Sequence, residues 1–178
     1  LPTDLVETSY LRSGSVLVNE EDEAAGLAIW EEGLSRNPNS IPLRNTIASY
    51  LVQQTDDIEA GKEAIAALES SIEANERRIA ALNKAELPEE QRTAQVDKNL
   101  AARWQLEVLK ASVDRKEGRE QESVERLRVA LNSVVAIETP FRVAVANQLA
   151  DIYASKNLWD QAALALARVA SEDPDNST

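Results

Sequence analysis

The 178-residue chain contains no cysteine, no histidine and no methionine. Without cysteine there are no disulfides and no thiolate nucleophile, and the loss of histidine removes imidazole acid–base chemistry and the common zinc ligand sets. No catalytic, cofactor-binding or metal-ligating residues are therefore expected, and the redox compartment is unreadable. The missing methionine, with Leu1 at the first position, leads to the expectation of an excised domain or processed product whose parent carries any targeting signal. No run of about 18 apolar residues occurs, so no membrane-spanning helix is expected, and no charged-then-apolar leader opens the chain. Positive charge is scarce: 19 basic against 31 acidic residues give a net charge of -12. Affinity from neutralising nucleic-acid phosphates is thus disfavoured.

Glycine (five), proline (six) and aromatics (4%) are also few, while 43% of residues are apolar. That is enough for a continuous core, and the abundant Ala, Leu, Glu, Gln, Lys and Arg favour helix over strand. An all-α chain follows. Its most informative stretch runs from Leu149 to Pro174 and reads as two helices around a turn. Ala150 is small where helices must approach closely, Tyr153 follows, Ala162 and Leu166 continue an apolar face after the turn, and Pro174 stops the second helix. Upstream, Tyr10, Gly14 and Leu17 precede Gly26, Trp30, Gly33, Leu34 and Pro38 at matching offsets.

This pattern resembles the tetratricopeptide repeat family, with its period of about 34 residues, small residues at helix crossings and a terminal proline. The resemblance implies a right-handed solenoid of about four helical hairpins in a single domain, 1–178, with repeats near 7–40, 41–76, 104–137 and 141–178. Ala48 lies one period beyond Gly14, in a helix over 41–54 with Ile47 and Leu51 buried. Its return helix carries Ala64, Leu68 and Ile72 after a longer turn, Thr55-Asp56-Asp57, in which an aspartate is the expected cap. The third unit keeps Ala111, Gly118, Leu127, Ala130 and Leu131, but places Asp114, Glu120 and Ser123 where apolar or small residues belong.

Between repeats two and three the chain departs from the family. Ala48 and Ala111 stand 63 residues apart, close to one period plus two extensions of about 14 residues, each about 20 Å of helix. Ile65, Leu68, Ile72, Asn75, Ile79 and Leu82 alternate spacings of three and four, a heptad seam with one polar break. Leu87-Pro88-Glu89-Glu90 marks a turn and a new start, after which Val96, Leu100, Trp104, Leu106, Leu109 and Val113 run back. An extended antiparallel hairpin over 57–117 is expected.

In the family the first helices of successive hairpins line a concave groove for an extended peptide or partner helix. The resemblance then places Leu11, Ser15, Val18 and Asn19 in that groove, followed by Asn45, Ser49, Val52 and Gln53. Val108, Ser112, Arg115 and Lys116 come next, then Asn147, Asp151 and Ser155. Amides and hydroxyls of this kind pair with peptide groups, although each would equally serve as solvated helix surface. The cationic set with which some members hold chaperone tails is absent, since Leu11, Arg12, Asn45 and Thr46 occupy the corresponding region.

Other features have ordinary readings. Glu20-Glu21-Asp22-Glu23 suits the positive end of a helix dipole better than a calcium loop, and Arg115 and Lys116 suit a negative end. Trp30, Trp104 and Trp159 are expected in the core. Asn176-Ser177-Thr178 fits a glycosylation sequon, a pattern that arises often by chance. The expected function is a scaffold that binds a protein or peptide, without enzymatic activity, nucleic acid or direct membrane insertion. Two alternatives are a structural module that self-associates through the long hairpin, with Asn75 setting register, and a noncatalytic domain of an enzyme such as a glycosyltransferase.

Overall fold

A computed structural model describes residues 3–82, 87–132 and 139–170. Pro174 and the Asn176 sequon lie outside the described residues. The described residues are all-helical, without a strand: α1 (Thr3–Asn19), α2 (Glu23–Arg36), α3 (Ile41–Gln54), α4 (Ile58–Ala81), α5 (Glu89–Lys116), α6 (Glu120–Asn132), α7 (Thr139–Ser155) and α8 (Trp159–Ala170).

Local chemistry starts and stops these helices. Asp22, Ser40 and Asp57 each stand before a helix and accept a bond from a first-turn amide, at Ala25, Leu43 and Ala60 respectively. These bonds satisfy donors that the helix itself leaves unpaired. Pro42 lies in the first turn of α3, where its missing N–H costs nothing. Three turns end their helices identically. The amides of Asp22, Arg119 and Leu158 donate to the carbonyls of Leu17, Asp114 and Tyr153, while those of Glu21, Gly118 and Asn157 donate to Val18, Arg115 and Ala154. In each the pivotal residue is left-handed, with φ of 66° at Glu21, 77° at Gly118 and 61° at Asn157. This is the Schellman closure, and the next helix begins two residues later each time. The α3–α4 turn differs, for Thr55 is extended and its hydroxyl accepts from the Asp57 amide at 3.3 Å.

The chain forms two compact units, Leu1–Leu106 and Glu107–Thr178, the division falling within α5. In the first, α1 packs on α2, α3 on α4, and α2 on α3. Trp30, Leu43, Ile47 and Tyr50 make its buried cluster, with Tyr10, Leu11, Val18, Leu27, Leu34 and Leu51 against it. The Trp30 and Tyr50 rings meet edge to face at 5.8 Å, a favoured arrangement for two quadrupoles. The α1–α2 crossing is close because Gly26 is bare. A Cβ there would stand 2.6 Å from Val18 Cγ2 and 2.8 Å from the Gly14 carbonyl oxygen.

Helices α4 and α5 run antiparallel, joined by hydrogen bonds from Asn75 to Asn99, Arg78 to Gln95 and Arg103 to Glu76. The α4 seam is buried at Ile65, Leu68, Ile72 and Ile79. On α5 the buried stripe is Asn99, Ala102, Leu106, Leu109 and Val113, again spaced by three and four. Of the expected stripe Trp104, Leu106, Leu109 and Val113 are buried, while Val96 and Leu100 are corrected, as these are 48% and 40% exposed. The stripe turns to pass through Asn99, which the polar break at Asn75 requires as its partner. At the chain turn beyond, the Arg92 guanidinium donates to the carbonyls of Ile79 and Leu82 and closes the end of α4.

In the second unit α6 packs on α7 and α7 on α8. Asp114 and Ser123, unexpected in a helix crossing, are both buried. Asp114 is satisfied by Arg119 Nε at 3.1 Å and Arg126 Nε at 2.8 Å, and Arg126 also reaches Glu107 at 2.8 Å. A buried carboxylate is tolerable only with such partners. Two expectations for α8 are corrected. Its buried face is Ala162, Ala165 and Val169, so Leu166, a further 100° round the helix, is exposed. Trp159 is 63% exposed, because it opens the helix and has no preceding turn beneath it.

Candidate functional site

In the first unit α1 and α3 bring five of the expected groove residues into one place. Ser15, Val18 and Asn19 share a cleft of about 210 Å³ with Ser49 and Gln53, floored by Trp30 and Tyr50. The helix period explains the grouping, since 15 to 19 and 49 to 53 are each one turn. The Trp30 indole N–H donates to the Leu11 carbonyl at 3.2 Å, and the Tyr50 hydroxyl donates to Glu23 Oε2 at 2.7 Å. The floor is thereby held. Bonding to the Glu23 carboxylate raises the Tyr50 pKa above 10.0, helped by burial and by the negative charge. Ser15 donates its own hydroxyl proton to Leu11, leaving it an acceptor toward the cleft.

Asn45 does not join this group. One turn before Ser49, it lines a larger cleft of about 660 Å³ with Glu7, Ser40, Asn75, Asn99 and Gln105. Thr46 borders both. The larger cleft carries an unusual number of amides, which Asn37, Asn39 and Gln95 extend. Its one lining carboxylate among the described residues, Glu7, accepts from the Ser40 hydroxyl, and Ser40 itself is buried as the cap of α3.

On the hairpin side of this cleft the hydrogen bonds form a directed chain. Arg78 donates to Asn75 Oδ1 at 2.7 Å and to Gln95 Oε1 at 3.1 Å, and Asn75 Nδ2 donates to Asn99 Oδ1 at 2.7 Å. Because a guanidinium only donates, Asn75 must turn its oxygen to Arg78 and its nitrogen to Asn99. Asn99 must then present its oxygen, and its Nδ2 is left over. That nitrogen is buried without a partner, as is Asn45 Oδ1. Each orphaned group costs about 1–3 kcal/mol.

Asn99 also borders a smaller apolar cleft of about 330 Å³ along the hairpin, lined by Ile79, Ala80, Val96 and Leu100. Beside it Arg103 grips Glu76 with two bonds of 2.7 and 2.6 Å. Those bonds hold the Glu76 carboxyl below its ordinary 4.5, against the opposing effect of burial.

Two further expected groove residues of the first unit are corrected, since Val52 is buried and Leu11 packs against the core cluster. The second unit holds the rest. Asn147, Asp151 and Ser155 lie at successive turns of one exposed face of α7, and Ser155 donates to Ile152 at 2.8 Å. Arg115 and Lys116 are exposed in the last turn of α5, and Ser112 donates to Val108 at 3.0 Å. The cavity of about 480 Å³ in this unit is lined instead by Arg128, Leu149, Tyr153, Gln161, Leu164 and Arg168.

Sequence reasoning missed Asn99, Lys98, Gln95 and Arg78 as site residues. A seam traced through apolar residues skips Asn99, and the signal that would have found it is the polar break at Asn75, which demands a partner on the returning helix. Among the described residues no cluster of three potential metal ligands occurs, and no helix is long and apolar enough to cross a membrane. The chain matches no protein-family model, no curated protein and no solved structure.

Proposed function

We propose that the chain is a noncatalytic binding scaffold, a right-handed solenoid of four tetratricopeptide-like hairpins whose inner helix faces hold a peptide or helix of a partner protein. The carrying observation is the cleft in which Ser15, Val18 and Asn19 of α1 stand beside Ser49 and Gln53 of α3. Its mixed donors, acceptors and small apolar contacts match the needs of an extended main chain. The Schellman closure shared by three turns supports the repeat, because one backbone pattern recurs at the same point of three helix pairs. Preformed helices also keep the entropic cost of binding low on the protein side.

The test is selection of binders from a random dodecapeptide display library against the intact chain. Asn19 and Gln53 are exposed, so the double variant Asn19→Ala/Gln53→Ala keeps its helicity. It binds the selected peptides about tenfold more weakly, a loss of about 1.4 kcal/mol. Undiminished affinity sinks the groove reading.

The second reading, self-association through the hairpin, is favoured by Val96 and Leu100, exposed one turn apart on α5. Under it the chain sediments as an oligomer and Val96→Glu/Leu100→Glu as a monomer. A wild-type monomer at high micromolar concentration removes that reading.

A further inference from the structure

The larger cleft of the first unit has a chemistry of its own, set by helices that the repeat pattern does not supply. Asn99 is 4% exposed and lines the cleft, and its Nδ2 has no partner. The donor chain from Arg78 through Asn75 ends on it, and successive donors polarise one another, so the last N–H is a strengthened donor. It calls for an acceptor. Asn45 lines the same cleft, and its Oδ1, buried without a partner, calls for a donor. A peptide main chain offers both, one C=O and one N–H per residue.

Charge narrows the choice. Among the described residues Arg78 is answered by the amide oxygens of Asn75 and Gln95 and by no carboxylate. Lys98, exposed on the same rim, has no ion-pair partner among the described residues. Against these two cations stands Glu7, already bonded to Ser40. In a chain of net charge -12, a rim of this sign favours an anionic neighbour.

We infer that this cleft binds an extended peptide segment bearing an acidic side chain, with the main chain paired to Asn99 Nδ2 and Asn45 Oδ1 and the carboxylate beside Lys98 and Arg78. The inference rests on the reading of the first unit as a peptide binder, and it adds a site and a charge preference to that reading. Water and a neutral polar ligand would fill the same orphans without a preference for acid.

The experiment uses the dodecapeptide library on the intact chain, comparing three variants by fluorescence polarisation with circular dichroism as the control for folding. Asn99→Asp keeps the oxygen that faces Asn75 and replaces the open donor by a carboxylate oxygen. Lys98→Glu reverses charge at an exposed position and tests the same cleft if Asn99→Asp folds poorly. Expected are selected peptides enriched in Asp and Glu, with affinity at least tenfold weaker in both cleft variants. Peptides without acidic enrichment, or affinity unchanged in Lys98→Glu, overturn the inference. Loss only in Asn19→Ala/Gln53→Ala overturns it while leaving the groove reading intact, whereas loss only in the cleft variants upholds it and removes the α1–α3 groove. A library that yields no binder overturns both.

Discussion

Glu21 adopts a φ of 66°, a region where an L side chain with a Cβ is strained by about 1–2 kcal/mol and glycine is not. The two equivalent turns use Gly118 and Asn157 there, residues suited to the conformation. Relief of that strain outweighs the loss of about 0.4–1 kcal/mol that a new glycine brings through unfolded-chain entropy, so Glu21→Gly should stabilise the chain by about 1 kcal/mol, a melting-temperature rise of roughly 2–4 °C by calorimetry. An unchanged or lower melting temperature contradicts the strain. Tyr50 gives a second prediction through its bond to Glu23. Its folded pKa is raised, so the stabilisation is full below pH 10.0 and is lost as pH rises through the higher folded value. In a spectrophotometric titration at the phenolate band, Glu23→Gln should move the Tyr50 transition to lower pH, with Tyr50→Phe identifying which transition it is. No movement would mean that the hydrogen bond does not hold the phenol.

The extended hairpin concentrates its cost in one pair of amides. Asn75→Leu strands both ends of the Asn99 amide in a buried position and should cost about 1–3 kcal/mol. Asn75→Leu/Asn99→Leu removes both ends of the Asn99 amide at once and should restore or exceed wild-type stability, as apolar replacement of both partners of a buried polar pair often does. Urea unfolding of the three proteins measures the coupling, and additive losses would deny it. The pair also shows why Val96 and Leu100 of α5 are exposed where periodicity expects them buried. Apolar residues at 96 and 100 continue back from the buried Trp104 at regular helical spacing, and periodicity cannot choose between neighbouring stripes. The choice is made by Asn99, whose oxygen is the only described partner of Asn75 Nδ2. In α8 likewise, the alanines at 162 and 165 are buried while Leu164 and Leu166 are exposed. Close approach there selects small residues over the more hydrophobic ones.

Across the whole molecule, 31 acidic residues against 19 basic ones repel one another in the folded state. Raising salt from about 0.01 M, where charges are felt over about 30 Å, to about 0.15 M, where the reach is about 8 Å, should raise the melting temperature. A fall would mean that the ion pairs of Glu76, Asp114 and Glu107 outweigh the global repulsion. Much of the fold was legible without coordinates: the helical class, an aspartate cap at Asp56 or Asp57, the buried Trp30, and the α4 seam at Ile65, Leu68, Ile72 and Ile79. These follow from caps and periodicity, which act within a few residues along the chain. Of the proposed sites, the resemblance grouped Asn19, Ser49 and Gln53, which share one cleft, but it did not separate them from Asn45 or point to Asn99. Those outcomes depend on contacts between residues far apart in the chain, Asn75 with Asn99 and Glu7 with Ser40. The sequence by itself determined that the chain is helical and where its helices turn, because those preferences are local. Only the tertiary structure decided which polar side chains meet and which are left open, because that depends on how each helix is rotated against its neighbours.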